Sequence, residues 1–397
     1  MSHDGLGRVG APAPNVYDAE PIPEAARAEI DRLLQSGDLF RYTSDKAPVA
    51  LLEAEFAALM GTRYALAVSS CSAAMFLALK ALDLPRGSRV LIPAFTFAAV
   101  PSAVLHGDCV PVLVEVGHDF RIDMTDFRMK LAEGAGAVMI SHMRGHTSDM
   151  DQIMAACDAA GVPVIEDAAH SLGTLWDGKR IGTIGKVGCF SFQSYKLVNA
   201  GEGGLLVTDD PEIAARAIIM SGAYEHNWKK HPGLQNSFHH WQNKLPLYNL
   251  RMQNLSAAVI RPQLPEVDRR VRDGRANHDR VADRLNASPW FRVPLSLPKE
   301  DRAPDSLQFN LIGVETDAAA VSFQDICKAR GVGANVFGLS RDNARAFWNW
   351  QFLGAMPDLP QTRAMLMAAC DVRLPARLTL DECDYIANAL TTAARET

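Results

Sequence analysis

The sequence predicts an α/β fold: a mostly parallel central sheet flanked by helices, with a smaller C-terminal α+β domain. Three observations lead there. Between Tyr64 and about Thr208, short apolar runs alternate with helical patterns, the rhythm of strands joined by crossover helices. Those runs are mostly apolar, with Glu115 as their one charged residue, as strands covered on both faces require. And 397 residues exceed one typical core, so a second, smaller unit is expected.

Taken in order, the first twenty residues are rich in Gly, Pro and small side chains and are expected to form an arm lying on a neighbouring surface. Helical spacing follows at Ile30, Leu33 and Leu34 with Gly37 as a stop, and again at Leu51, Leu52, Phe56 and Leu59 before Gly61. The expected strands are Ala65 to Val68, Val90 to Ile92, Val110 to Val116, Ala137 to Ile140 and Val162 to Ile165. A charged helical stretch runs from Gln253 to Leu285, a strand from Leu307 to Glu315, and a last helix from Leu380 to Ala394. The expected organisation is an arm (1–20), a large domain (21–275) and a small one (276–397), with the boundary in the region 265–290.

Composition narrows the function. Hydrophobic residues at 48% and charged ones at 22% are those of an ordinary globular protein. A net charge of -6 argues against nucleic acid or an anionic membrane as partner, and leaves small metabolites open. The seven cysteines form neither CxxC pairs nor a framework, which fits reduced thiols. The longest weakly polar run, Val90 to Leu105, contains two prolines and is shorter than the about 20 residues of a membrane helix. With no charged-then-apolar leader at its start, a cytoplasmic enzyme is expected.

In open α/β sheets ligands sit beyond the carboxyl ends of the strands, so chemistry is sought just after each run. Glu166 and Asp167 end one run, where a buried carboxylate needs a cationic partner such as a protonated pyridine nitrogen; a helix cap or an ion pair is the commoner use. The run Cys189-Phe-Ser191 leads into a loop bearing Lys196, closed by Gly201-Glu-Gly-Gly204. A lysine held there can lose its proton by desolvation and attack an aldehyde to form an imine, whereas a random lysine is a surface group. Val68-Ser-Ser-Cys71-Ser72 leads into a helix expected from Ala73, whose free amides can hold a phosphate with the Ser72 hydroxyl adding a donor. Ser72 is equally a candidate N-cap. Phe97, after the second strand, offers a face for a flat ring, with core packing as the alternative.

Together these segments resemble the DegT/DnrJ/StrS sugar aminotransferases, a branch of the fold-type-I pyridoxal-phosphate enzymes. The resemblance runs from the Leu51 helix to the final helix. It is carried by the Cys71-Ser72 turn, Glu166-Asp-Ala-Ala-His170, the Ser191 to Gly204 run, Asn249-Leu-Arg251-Met252, Ala257-Ala258 and Gln263-Leu264. It implies that Lys196 holds pyridoxal 5′-phosphate as a Schiff base, Asp167 pairs with the ring nitrogen, and His170 lies against the ring near its phenolic oxygen. Phe97 would stack on the ring, while Cys71 (through its backbone), Ser72 and Ser191 would contact the phosphate. Asn249 would reach the phosphate of the other subunit, so a homodimer with shared sites is implied.

The activity so implied moves an amino group from glutamate or glutamine to a keto sugar, nucleotide-linked, or a keto-cyclitol, by ping-pong turnover. A lyase or dehydratase, or a non-enzymatic cofactor-binding regulator, are the competing classes. Retention of Lys196 counts against the dehydratase, and the intact Lys196, Asp167 and Ser191 set against the regulator. The glycine of the family's phosphate turn is Cys71 here. A histidine-containing substrate segment is expected near the C-terminus, yet the chain has Asn335-Val-Phe-Gly-Leu and then Phe347-Trp-Asn-Trp350. Arg144, in His142-Met-Arg144-Gly-His146, follows a strand and is a candidate for the site, with a structural role the commoner one for such histidines; Lys229 and Lys230 are candidates for a substrate phosphate, with a solvated loop as the commoner alternative.

Overall fold

The computed structural model describes residues 13–222, 231, 233–314 and 316–397. Its strands, in chain order, are β1 (Tyr64–Val68), β2 (Arg89–Pro93), β3 (Val110–Val114), β4 (Ala137–Ser141), β5 (Val164–Asp167), β6 (Leu175–Trp176), β7 (Lys179–Arg180), β8 (Val187–Ser191) and β9 (Gly204–Thr208). Beyond them come β10 (Phe291–Arg292), β11 (Glu300–Asp301), β12 (Ser306–Leu311), β13 (Asn335–Val336) and β14 (Ala369–Arg373). Seven form the main sheet in the order β1-β9-β8-β5-β4-β2-β3. Neighbours from β3 through β8 run parallel, and β9 is antiparallel to both β8 and β1. The sheet is therefore mostly parallel, as the alternation of apolar runs with helical patterns predicts.

Helices α1 (Glu24–Ser36) and α2 (Pro48–Met60) end at Gly37 and Gly61, both in the left-handed conformation that glycine adopts without strain. Then α3 (Cys71–Ala81), α4 (Ala99–His106), α5 (Met124–Ala132) and α6 (Met150–Ala160) follow β1 to β4 in turn, and α7 (Pro211–Met220) follows β9. These strands bury nearly every side chain, and because β1, β2, β4, β5 and β8 all run the same way, their carboxyl ends share one rim.

After α8 (Gln235–Trp241), the charged stretch from Gln253 is three pieces: α9 (Asn254–Ile260), a tight 3₁₀ segment (Arg261–Glu266), and α10 (Val267–Asn286). Pro262 and Pro265 lack the N–H groups that a continuous α-helix needs there. The chain ends in α11 (Asp317–Ala329), α12 (Pro360–Ala368) and α13 (Leu380–Glu396), the last opened by a capping box between Thr379 and Glu382. The strand expected to reach Glu315 stops at Leu311 before the turn at Gly313; Glu315 lies outside the described residues.

Buried apolar side chains form two clusters, one around the main sheet and one around β12, β14, α11 and α13. Helix α10 joins them: Val267 and Val271 belong to the first, Val281 and Leu285 to the second. The expected boundary at 275 falls inside this helix. Residues 13–20 of the arm lie on the chain's own C-terminal unit, with Val16 in its cluster and the Asp18 carbonyl accepting from Arg377 at 3.3 Å.

Candidate active site

At the rim of the main sheet, a cavity of about 670 Å³ gathers side chains from the four segments that follow the strands β1, β2, β5 and β8. Ser70, Cys71 and Ser72 come from the start of α3, Phe97 from the loop after β2, Asp167 and His170 from the end of β5, and Ser191 and Lys196 from the end of β8. A cleft of similar size, about 690 Å³, opens near the other ends of the strands. Its lysine, Lys186, is an ordinary surface group paired with Asp210 at 3.8 Å.

The start of α3 differs by two residues from the expectation. The N-cap is Ser70, whose Oγ accepts from Ala73 N at 3.1 Å, and Ser72 is the second helical residue. Ser72 is thus relieved of capping, and its exposed hydroxyl joins the amides of the first turn, which the helix itself cannot satisfy. Behind this turn runs the start of β9. A Cβ on Gly204 would lie 2.3 Å from the Ser70 carbonyl carbon and 2.6 Å from Cys71 N, so only glycine lets the backbones pass.

Asp167 and Glu166 occupy successive positions of β5 and point to opposite faces, as a strand dictates. Asp167 turns into the cavity. Its carboxylate accepts from Ser141 Oγ at 2.8 Å and Ala169 N at 3.1 Å, and the Cys71 thiol lies 3.8 Å away. Glu166 turns away, accepts from the amides of Gly182, Ile184 and Gly185 at 2.6 to 2.8 Å, and meets His142 Nε2 at 3.1 Å. Glu166 organises the loop before β8 and is no part of the cavity.

Lys196 Nζ lies 2.9 Å from His170 Nε2 and 3.2 Å from Nδ1. Burial pushes the lysine down to about 8, against the opposing pull of Asp305, with Arg144 adding to the depression. Burial also pushes His170 down to about 3, helped by the charges of Lys196 and Arg144, so the imidazole is neutral. Arg144 Nη1, which can only donate, lies 3.4 Å from His170 Nδ1; Asp305, at 3.8 Å, is outside hydrogen-bonding reach.

Arg144, a candidate from the sequence, does line the cavity, held at φ 58° between two carboxylates of the C-terminal unit. Nη2 pairs with Asp371 at 2.8 Å and Nη1 with Asp305 at 3.5 Å. Burial raises the Asp305 carboxyl, but Arg144, His170 and Lys196 outweigh it and hold the group well below the usual carboxylate range. His146 takes no part in the cavity: it lies 3.3 Å from buried Glu300 and accepts nothing from the site. Asn249 is exposed in the loop ahead of Arg251 and is not among the cavity's lining residues, and Lys229 and Lys230 lie outside the described residues.

Sequence reasoning missed Asp305, Arg345, Asp371 and Arg373. All come from the C-terminal unit. One signal was present: in β14, Asp371 and Arg373 alternate with the buried Cys370 and Val372, which puts two charges on one face of a central strand.

The donor set fits a cofactor with a phosphate, a flat ring and an aldehyde. The phosphate would take the α3 amides with Ser72 and Ser191, the ring would have Phe97 to stack on and Asp167 for its nitrogen, and the aldehyde would meet Lys196. Residues 22–391 match the sequence profile of the DegT/DnrJ/EryC1/StrS aminotransferase family. GDP-perosamine synthase of Vibrio cholerae is 32% identical over 249 residues, covering 62% of this chain and 64% of that protein. The 3-amino-5-hydroxybenzoate synthase of Amycolatopsis mediterranei (strain S699) is 34% identical over 250 residues, covering 62% of each. The chain thus spans less than two thirds of these curated relatives. A solved 3-amino-5-hydroxybenzoic acid synthase superposes with a TM-score of 0.84 at 26% identity, covering 97% of this chain and all of the other. The chain belongs to the DegT/DnrJ/EryC1/StrS aminotransferase family, whose cofactor is pyridoxal 5′-phosphate.

Proposed function

We propose that this protein transfers an amino group from an amino acid, glutamate or glutamine, to a ring ketone, either a keto sugar carried on a nucleotide or a keto-cyclitol. The observation that carries the reading is a half-buried lysine, desolvated so that its pKa is lowered to about 8, sharing one cavity with a buried carboxylate and a helix start. When bound, pyridoxal phosphate supplies an aldehyde for the lysine and a ring that draws electrons from the carbon bearing the amino group.

The chain's residues do the rest. Asp167, fixed by Ser141 and the Ala169 amide, keeps a proton on the ring nitrogen. Lys196 Nζ takes the proton from the donor's amino-bearing carbon and returns it elsewhere, the work of a base whose pKa is near the operating pH. His170, neutral and within 2.9 Å of that nitrogen, orients it. Ser72, Ser191 and the amides of Cys71 and Ser72 hold the phosphate, and Phe97 covers the ring. The donor departs as a keto acid before the acceptor enters, so turnover is ping-pong.

Support for the acceptor class comes from the relatives' names, which concern a nucleotide-linked amino sugar and an aminated ring acid. Asn249, exposed and away from its own chain's cavity, is available to the phosphate of a second copy in a homodimer. The two core clusters support a large and a small domain hinged through α10. Seven free, buried cysteines, and no helix among the described residues long and apolar enough to cross a membrane, accord with a reducing cytoplasm.

The test is spectroscopic. Adding L-glutamate or L-glutamine to the cofactor-loaded protein is expected to bleach its long-wavelength absorption, and a keto sugar or keto-cyclitol that accepts the nitrogen is expected to restore it. A spectrum indifferent to every common amino acid would overturn the reading.

A further inference from the structure

The C-terminal side of the cavity carries three guanidinium groups, Arg144, Arg345 and Arg373, and their compensation is uneven. Arg144 is paired with both Asp371 and Asp305. Arg345 reaches Asp371 through Nη1 alone, at 2.6 Å, onto the oxygen that already accepts from Arg144, and its guanidinium lies 4.7 Å from the Phe337 ring centre. Arg373 has no carboxylate partner among the described residues. Its Nη2 donates to the Tyr195 carbonyl at 3.1 Å, its guanidinium lies 4.7 Å from the Tyr195 ring centre, and its buried Nε has no hydrogen-bond partner.

Three cations therefore face two carboxylates, Asp305 and Asp371. Glu202, on the glycine turn, pairs with none of them and is exposed. One positive charge is left over in a wall that burial makes costly for it, and a guanidinium does not escape that cost by deprotonating. An incoming anion supplies what is missing. The fork of N–H groups on Arg373 and the open edge of Arg345 match the two oxygens of a carboxylate.

Position narrows the ligand further. Arg373 stacks on Tyr195, the residue before Lys196, lines the same cavity as the reacting amine, and shares Asp305 and Arg144 with it as charged neighbours. An anion held there shares one cavity with the reacting carbon, which suits a carboxylate carried on the reacting molecule itself. We propose that Arg373, with Arg345 beside it, forms a carboxylate-recognition subsite for the substrates of amino transfer. The proposal rests on the aminotransferase reading, and the carboxylate has two sources: the amino donor, or an acid group on the ring of the acceptor.

Cofactor-loaded wild type, Arg373→Gln, Arg373→Lys and Arg345→Gln are compared in the separate half-reactions. In the donor arm, L-glutamate bleaches the chromophore. In the acceptor arm, the aminated form is recoloured by 3-oxocyclohexanecarboxylate or by cyclohexanone, the same ring without the acid. Loss of one charged hydrogen-bonded contact predicts that Arg373→Gln raises the half-saturating concentration of a carboxylate substrate by about 10- to 100-fold. The maximal rate changes far less, cyclohexanone is handled as by wild type, and Arg373→Lys recovers part of the loss.

A loss confined to glutamate assigns the subsite to the donor, one confined to the keto acid assigns it to the acceptor, and a loss in both makes it shared. Half-saturation within twofold of wild type for every carboxylate in both glutamine variants overturns the proposal, as does equal impairment of acid and neutral ring. Calorimetric titration with succinate, which bears no amine or ketone, separates this from failure of the parent reading. Should no amino acid alter the wild-type spectrum, succinate binding that is lost in Arg373→Gln still upholds the subsite, and equal binding by both sinks it.

Discussion

Lys196 is a half-buried amine whose neighbours are a neutral imidazole and a guanidinium, and this sets its charge before any cofactor arrives. An ordinary lysine titrates near pH 10.4, whereas burial brings this one to about 8. In the apoenzyme, modification of Lys196 by an amine-reactive reagent is expected to rise with pH through a midpoint near 8, followed by peptide mass spectrometry. Asp305 favours the charged amine and Arg144 disfavours it, so Asp305→Asn is expected to move that midpoint down and Arg144→Gln to move it up. A midpoint that ignores both changes would show that the two groups do not sense the lysine. In the proposed function, replacing Lys196 by Ala removes the proton carrier itself. Amino transfer is expected to fall by on the order of 10³-fold or more, while cofactor is retained through the phosphate and ring contacts, measured by dialysis and absorption.

At the scale of elements, the end of β5 shows how one strand serves both fold and site. Its alternation sends Glu166 to three loop amides and Asp167 to the cavity. Glu166→Ala leaves those buried N–H groups without an acceptor and is expected to lower stability by about 3 to 5 kcal/mol, read from urea unfolding of the apoenzyme. An unchanged midpoint would mean that the loop finds other acceptors. The sequence revealed that an acid pair ends this strand but not which acid does which job, because the direction of a side chain is set by the register of β5 between β4 and β8. The start of α3 has the same lesson: Ser70 and Ser72 are both eligible caps, and the chain reversal at the end of β1 selects Ser70. Strand and helix cores were legible because apolar periodicity is local. Their ends, decided by turns such as Gly313 and by prolines such as Pro265, were harder to read.

For the whole molecule, Lys196, Asp167, His170, Ser72, Ser191 and Phe97 could be placed in one cavity from sequence because each follows a strand whose carboxyl end reaches the same rim. Asp305, Arg345 and Arg373 could not, since only the docking of the C-terminal unit brings them there. That docking also buries histidines. His146 is pushed by burial down to about 4 and His170 to about 3, whereas an unfolded chain protonates imidazoles near 6.5. Between those values the unfolded state binds more protons, so stability falls as pH drops from about 6.5 towards 4. The urea midpoint of the apoenzyme is expected to be lower at pH 5 than at pH 7, and an equal midpoint would contradict the neutral, buried imidazoles. The central claim, that distant segments converge to make Lys196 the cofactor's anchor, is tested most directly by borohydride reduction of the loaded enzyme followed by peptide mapping. The account predicts a cofactor mass on the peptide containing Lys196, and its loss when an amino donor is added before reduction. A cofactor mass on another lysine, or none on Lys196 in the loaded enzyme, would contradict it.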